Sequence, residues 1–129
     1  MILLINDKKL FIDYFEILLL KVLKENQVNN LAISKGYDGL DLLKLVTENQ
    51  KKKTKLICAF VDENMEFMNG SEAIKILKNF EGDKKIYPVK FVKFSSDPIG
   101  ETDKDILYVN KPPWKSEVVH ILQLIVLIG

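Results

Sequence analysis

Past its first residue, the run Lys55 to Val61 is apolar on both faces. A strand with one wet side alternates polar and apolar residues, whereas one that is apolar throughout must be covered twice, as a central parallel strand is by helices. Four further short, largely apolar runs are Ile2 to Ile5, about Asn30 to Ser34, about Val89 to Ser95, and Ile106 to Val109. Longer segments of helical period separate them. Five strands alternating with helices predict βαβ units and an α/β fold, a doubly wound parallel sheet in three layers, because right-handed crossovers need helices on both faces.

The helical segments are legible from their period. From about Lys9 to Glu25, Leu10, Tyr14, Leu18 and Val22 stack with Phe11, Phe15, Leu19 and Leu23, while Asp13, Glu16, Lys21 and Lys24 stay opposite. This predicts a helix packed through one broad stripe. Lys35-Gly36-Tyr37-Asp38-Gly39 is read as a turn into a helix carrying Leu40, Leu42, Leu43 and Val46. Asn69-Gly70-Ser71 opens a third helix with Ala73, Ile74, Leu77 and Phe80 inward, and the last is expected from about Trp114 to Leu127. Only ten residues, including Pro98 and Gly100, separate Ser95 from Ile106, so a helix there is expected to be one turn or absent.

At 129 residues the chain has the size of one domain, read as 1–129 without an internal repeat or linker. Nineteen basic and 18 acidic side chains leave a net charge of +1, and every base is Lys. With no Arg fork and no broad positive field, direct nucleic-acid binding is not expected. Lys51-Lys52-Lys53 is read as a solvated loop. The lone Cys58 lies in an apolar run, where a thiol packs as a small hydrophobe, and this points to a reducing, cytoplasmic setting. No signal-peptide pattern opens the chain, and the tail Val118 to Ile128 is short and interrupted by Gln123, so membrane contact is not expected.

In open parallel sheets ligands bind beyond the carboxyl ends of the strands. The polar residues there are Asn6 and Asp7 after the first strand, Asp62 to Asn64 after the third, Ser95 and Ser96 after the fourth, and Lys111 after the fifth. They predict an acidic pocket with one cation. Carboxylates from neighbouring strands repel each other, and a hard, oxygen-seeking Mg²⁺ relieves that repulsion.

Val61-Asp62-Glu63-Asn64-Met65-Glu66-Phe67-Met68-Asn69-Gly70 resembles the phosphoacceptor loop of two-component response-regulator receivers, with Asp, both Met and Gly at matching spacings. Asn6-Asp7 matches the acidic-pair position and Lys111-Pro112 the Lys-Pro after the fifth strand, so the resemblance spans essentially the whole chain. It implies a flavodoxin-like sheet of order 2-1-3-4-5 and a phosphorelay role in signal transduction. The receiver would take a phosphoryl group from a histidine kinase or histidine phosphotransfer protein and catalyse its own phosphorylation and dephosphorylation. By position, Asp62 resembles the phosphoacceptor, Asp7 a direct Mg²⁺ ligand, the Asn64 carbonyl a third protein ligand, and Asn6 a group acting through water. Ser95 matches the hydroxyl that bonds the phosphoryl group, Tyr108 the aromatic that swings inward, and Lys111 the cation that follows the phosphoryl oxygens. The Lys111-Pro112 bond is expected to be cis.

This sequence departs from the family pattern in places. Asn6 replaces the usual first acid, which predicts weaker Mg²⁺ binding, and Glu66 stands where Pro is usual. Lysines at 90 and 93 interrupt the fourth strand, and its register leaves Ser95 and Ser96 both open as the switch hydroxyl. A pseudo-receiver, binding a protein partner without phosphorylation, is the alternative. A haloacid-dehalogenase-type hydrolase is disfavoured, because Asp62-Glu63-Asn64 lacks the second aspartate of that family and so a general acid. His120 is read as a packing or rim residue, and Met65 and Met68 as loop and core packing. The parent protein and oligomeric state stay open.

Overall fold

A computed structural model describes residues 1–28, 31–52, 56, 58–83, 89–95 and 106–127. The five strands are β1 (Ile2–Ile5), β2 (Ile33–Gly36), β3 (Cys58–Val61), β4 (Lys90–Ser95) and β5 (Ile106–Asn110); the helices are α1 (Lys9–Glu25), α2 (Gly39–Lys52), α3 (Gly70–Gly82) and α4 (Lys115–Leu122). All strand pairs are parallel, in the order β2-β1-β3-β4-β5. The helices divide between the two faces. Ile2, Leu4, Phe60, Val92, Phe94 and Val109 pack with α1 and α4, while Leu3, Ile5, Ala59, Val61 and Phe91 pack with α2 and α3. Every residue of β1 and β3 is buried, as both-sided coverage requires.

Several boundaries and faces differ from expectation. β2 begins at Ile33 and takes in Lys35 and Gly36, which were expected in a turn, because its register against β1 runs from Ile2↔Ile33 to Ile5↔Gly36. A Cβ on Gly36 would lie 2.9 Å from Asp41 Cβ and 2.8 Å from Ile5 Cδ1, so the close approach of the start of α2 favours glycine. The expected start of that strand at Asn30 lies outside the described residues, as do Lys55, Lys53, Ser96 and the whole connection 96–105 with its expected short or absent helix. Lys51 and Lys52 end α2 instead of forming a loop. The last helix is α-helical only to Leu122 and continues as a π-helical turn over Gln123–Leu127.

The packing face of α1 is also corrected. Ile12, Phe15, Leu19, Val22 and Leu23 are buried, but Leu10 is 85% exposed and Tyr14 50%. Phe11 and Leu18 are partly buried at the edge of the core. Because α1 is apolar around most of its circumference, period alone left the rotation of the helix open, and the sheet chose it.

Candidate functional site

The candidate residues gather at the carboxyl end of the sheet because the backbone ladder carries them there. The Asp62 N–H donates to the Ile5 carbonyl at 3.0 Å, which continues the β1–β3 pairing past Val61, and the Lys111 N–H donates to the Ser95 carbonyl at 3.0 Å, which does the same for β4 and β5. Lys111–Pro112 is cis, as expected. Below the site lies an aromatic floor. Phe15 stands 4.9 Å from Phe60 and edge-on to Phe94 at 5.1 Å, and Phe11 meets Phe94 edge-on at 5.1 Å. These rings come from three elements, and their packing ties α1 to the ends of β3 and β4.

Asp62 is buried, and Lys111 Nζ donates to both of its carboxylate oxygens, at 2.9 and 2.8 Å. Lys111 is itself about one-third exposed, its ammonium 6.0 Å from the centre of the Phe11 ring. The pair therefore joins a buried carboxylate to a cation that reaches it from the mouth. Asp7 and Asn64 are exposed. Asn6 is buried; its Oδ1 accepts the Lys8 N–H at 2.9 Å, and its Nδ2 is a donor with no partner. Ser95 is buried and Tyr108 half-buried.

The loop after Asp62 is tightly held. Asn69 Oδ1 accepts the Glu72 N–H at 2.9 Å and caps α3, while the Gly70 N–H donates to the Glu63 carbonyl at 3.0 Å. Met68 donates back to the Glu66 carbonyl at 2.6 Å, closing a three-residue turn that sets Phe67 at φ 62° with its ring 85% exposed. Met65 and Met68 pack at the edge of the α2–α3 core, as expected of packing residues, and His120 is exposed.

One cation was expected here; among the described residues a second, Lys93, lies beside the acceptor loop. Lys93, in the middle of β4, is buried, donates to Ser71 Oγ at 2.9 Å and pairs with Glu63. Ser71 Oγ also donates to Glu63 Oε2. Burial works against the charge on Glu63, but the ammonium of Lys93 and the hydroxyl of Ser71 outweigh it and hold its carboxyl below the usual range. A lysine flanked by apolar strand residues was the available signal. Its partners lie 30 and 22 residues away and were not readable from spacing.

Mg²⁺ is suited to a set made only of hard oxygens with room for water. Among the described residues no three His, Cys, Asp or Glu side chains form a metal cluster. The donors at this end are the Asp7 and Asp62 carboxylates and main-chain carbonyls, and such a sparse oxygen set suits an ion that keeps several waters. Asn6 Nδ2 repels a cation, while Oδ1 retains one lone pair for a bound water. Hard oxygen donors of this kind fit Mg²⁺.

No family model and no curated protein matches the sequence. Solved structures do match. A two-component transcriptional regulator from Clostridium phytofermentans is 24% identical, with a TM-score of 0.63 over 95% of this chain and 88% of that one. The receiver domain of the hybrid histidine kinase CckA is 13% identical, with a TM-score of 0.65 over 95% of each chain. The receiver domain of the histidine kinase CKI1 from Arabidopsis thaliana, complexed with Mg²⁺, is 15% identical, with a TM-score of 0.66 over 95% of this chain and 89% of that one. The chain has the receiver fold.

Proposed function

We propose that this chain is the phosphoacceptor receiver of a Mg²⁺-dependent phosphorelay, taking a phosphoryl group from a phosphohistidine onto Asp62. The observation that carries the reading is the buried Asp62 carboxylate gripped through both oxygens by Lys111 at the mouth of the sheet. Fold alone assigns no chemistry. A buried carboxylate met by a partly exposed cation at the carboxyl end of the sheet supports the reading.

A carboxylate oxygen of Asp62 attacks phosphorus, the phosphorus–nitrogen bond of the donor breaks, and the histidine leaves as the neutral imidazole once protonated. Asp7, Asp62 and the Asn64 carbonyl would hold Mg²⁺, with Asn6 acting through water. When bound, the ion neutralises charge on the transferring group. Lys111 exchanges its two bonds to Asp62 for bonds to the phosphoryl oxygens, Ser95 donates its hydroxyl to the same group, and Tyr108 turns inward behind it. The partners are a histidine kinase or histidine phosphotransfer protein. The reducing cytoplasm is the compartment in keeping with Cys58, whose burial pushes the thiol up to about 12. No helix among the described residues is long and apolar enough to cross a membrane.

The test is acyl-phosphate formation from a small phosphodonor with Mg²⁺, read by intact mass. Wild type is expected to gain one phosphoryl group and Asp62→Asn none, with the fold unchanged. Labelling that persists in Asp62→Asn overturns the assignment. A wild type that takes no label points to a phosphorylation-independent binding module.

A further inference from the structure

Among the described residues only two charged side chains are buried, Asp62 at 2% exposure and Lys93 at 6%. Asp62 is accounted for by the reading above; Lys93 is not. Taking an ammonium out of water costs several kcal/mol, and a well-packed apolar residue in the same place is often neutral or stabilising. β4 supplies apolar residues on both sides of Lys93, so packing does not explain the lysine.

Its contacts suggest another reason. Lys93 stands opposite Val61 of β3 and Tyr108 of β5 in the strand registers. Its ammonium donates to Ser71 Oγ at 2.9 Å and pairs with Glu63, the residue after Asp62. It also lies 6.0 Å from the centre of the Tyr108 ring, within reach of a cation–π attraction. One cation thereby touches the acceptor loop, the first turn of α3 and the aromatic of β5. Glu63 is held a second time, since its carbonyl accepts the Gly70 N–H.

We propose that Lys93 is a positioning residue of the phosphoacceptor site, clasping Glu63 and Ser71 so that movement of the loop behind Asp62 is passed to Tyr108. The inference rests on the receiver reading and extends it to a device carried by Glu63, Ser71 and Lys93. When a phosphoryl group draws the loop toward it, Glu63 shifts with Asp62. The ammonium follows its counter-charge, and the face it presents to Tyr108 changes. A lysine at this place serves where methionine would not, because only a charge follows another charge over the distance of a loop movement.

The experiment follows backbone and Tyr108 ring resonances by NMR on adding beryllofluoride and Mg²⁺, in wild type, Lys93→Met, Lys93→Arg and Glu63→Gln. Wild type is expected to shift at Asp62, Asn64 and the Tyr108 ring. In Lys93→Met and Glu63→Gln the Asp62 and Asn64 shifts should persist, while the Tyr108 shift falls to less than half; Lys93→Arg, which keeps the charge, should restore part of it. A structural role alone would leave the Tyr108 response intact in every folded variant. Equal Tyr108 shifts in wild type and Glu63→Gln overturn the clasp while leaving the receiver reading in place, and Glu63→Gln reports even if Lys93→Met does not fold. A wild type without response at Asp62 overturns the receiver reading and the role of Lys93 with it.

Discussion

A Cβ atom built on Gly70 would stand 2.2 Å from the main-chain oxygen of Asp62. The start of α3 is thus pressed against the acceptor residue's own backbone, and neither atom can be moved by rotating a side chain. Gly70→Ala is expected to lose about 1–3 kcal/mol, as overpacking does. Urea unfolding at unchanged slope measures it, and a midpoint equal to wild type would show that the loop gives way without cost.

Lys111→Ala strips a buried carboxylate of its cation. Breaking a fully buried pair costs about 3–5 kcal/mol, and because Lys111 is one-third exposed we expect a smaller loss, about 1–3 kcal/mol, without Mg²⁺. The double variant Asp62→Asn, Lys111→Ala should recover much of that loss, since no charge is then stranded. Strict additivity of the two single changes would mean that the pair is not coupled.

The buried, partnerless Nδ2 of Asn6 makes Asn6→Asp informative. The change removes an orphan donor and adds a carboxylate beside Asp7 and Asp62. Mg²⁺ is expected to bind more tightly by about 1 kcal/mol, roughly fivefold. Trp114, exposed in the loop before α4, offers the fluorescence signal for the titration. Equal or weaker binding would place the ion elsewhere.

Phe67 occupies the left-handed region at φ 62° with its ring in water. A bulky residue there costs about 1–2 kcal/mol relative to one that tolerates it, and little apolar burial offsets the cost. Phe67→Asn is expected to raise stability by about 0.5–1 kcal/mol in urea unfolding. A lowered midpoint would reveal packing that the ring's exposure conceals.

Glu117 accepts the N–H groups of Asn110 at 2.9 Å and Trp114 at 3.1 Å. Desolvation opposes its charge, but these donors prevail and hold the carboxyl below its usual value. Its stabilisation is complete above the ordinary Glu value, about 4.3, and disappears as pH falls through the lower folded value. Glu117→Gln should therefore lose less stability than wild type over that acid interval, as read from urea midpoints against pH. Parallel curves would remove Glu117 from the acid response.

What was readable in the sequence followed from local repetition. Leu56 to Val61 marked a doubly covered strand because every residue is apolar, and Asn69-Gly70-Ser71 marked the start of α3 because an apolar helical period follows it directly. Asp62 and Lys111 were legible because strand ends converge in any parallel sheet. Strand edges were less so: β2 slid to Ile33–Gly36 because pairing with β1, not composition, sets where a strand ends.

By itself the sequence determined the alternation of strands and helices, the layered sheet and the place of its polar end, since period and burial demand act within a few residues. Only the tertiary structure decided which part of the broad apolar surface of α1 faces the sheet, leaving Leu10 and Tyr14 outside. It alone brought Lys93 to Glu63 and Ser71. Contacts between residues 22 and 30 positions apart depend on how whole elements dock, and no local pattern records that.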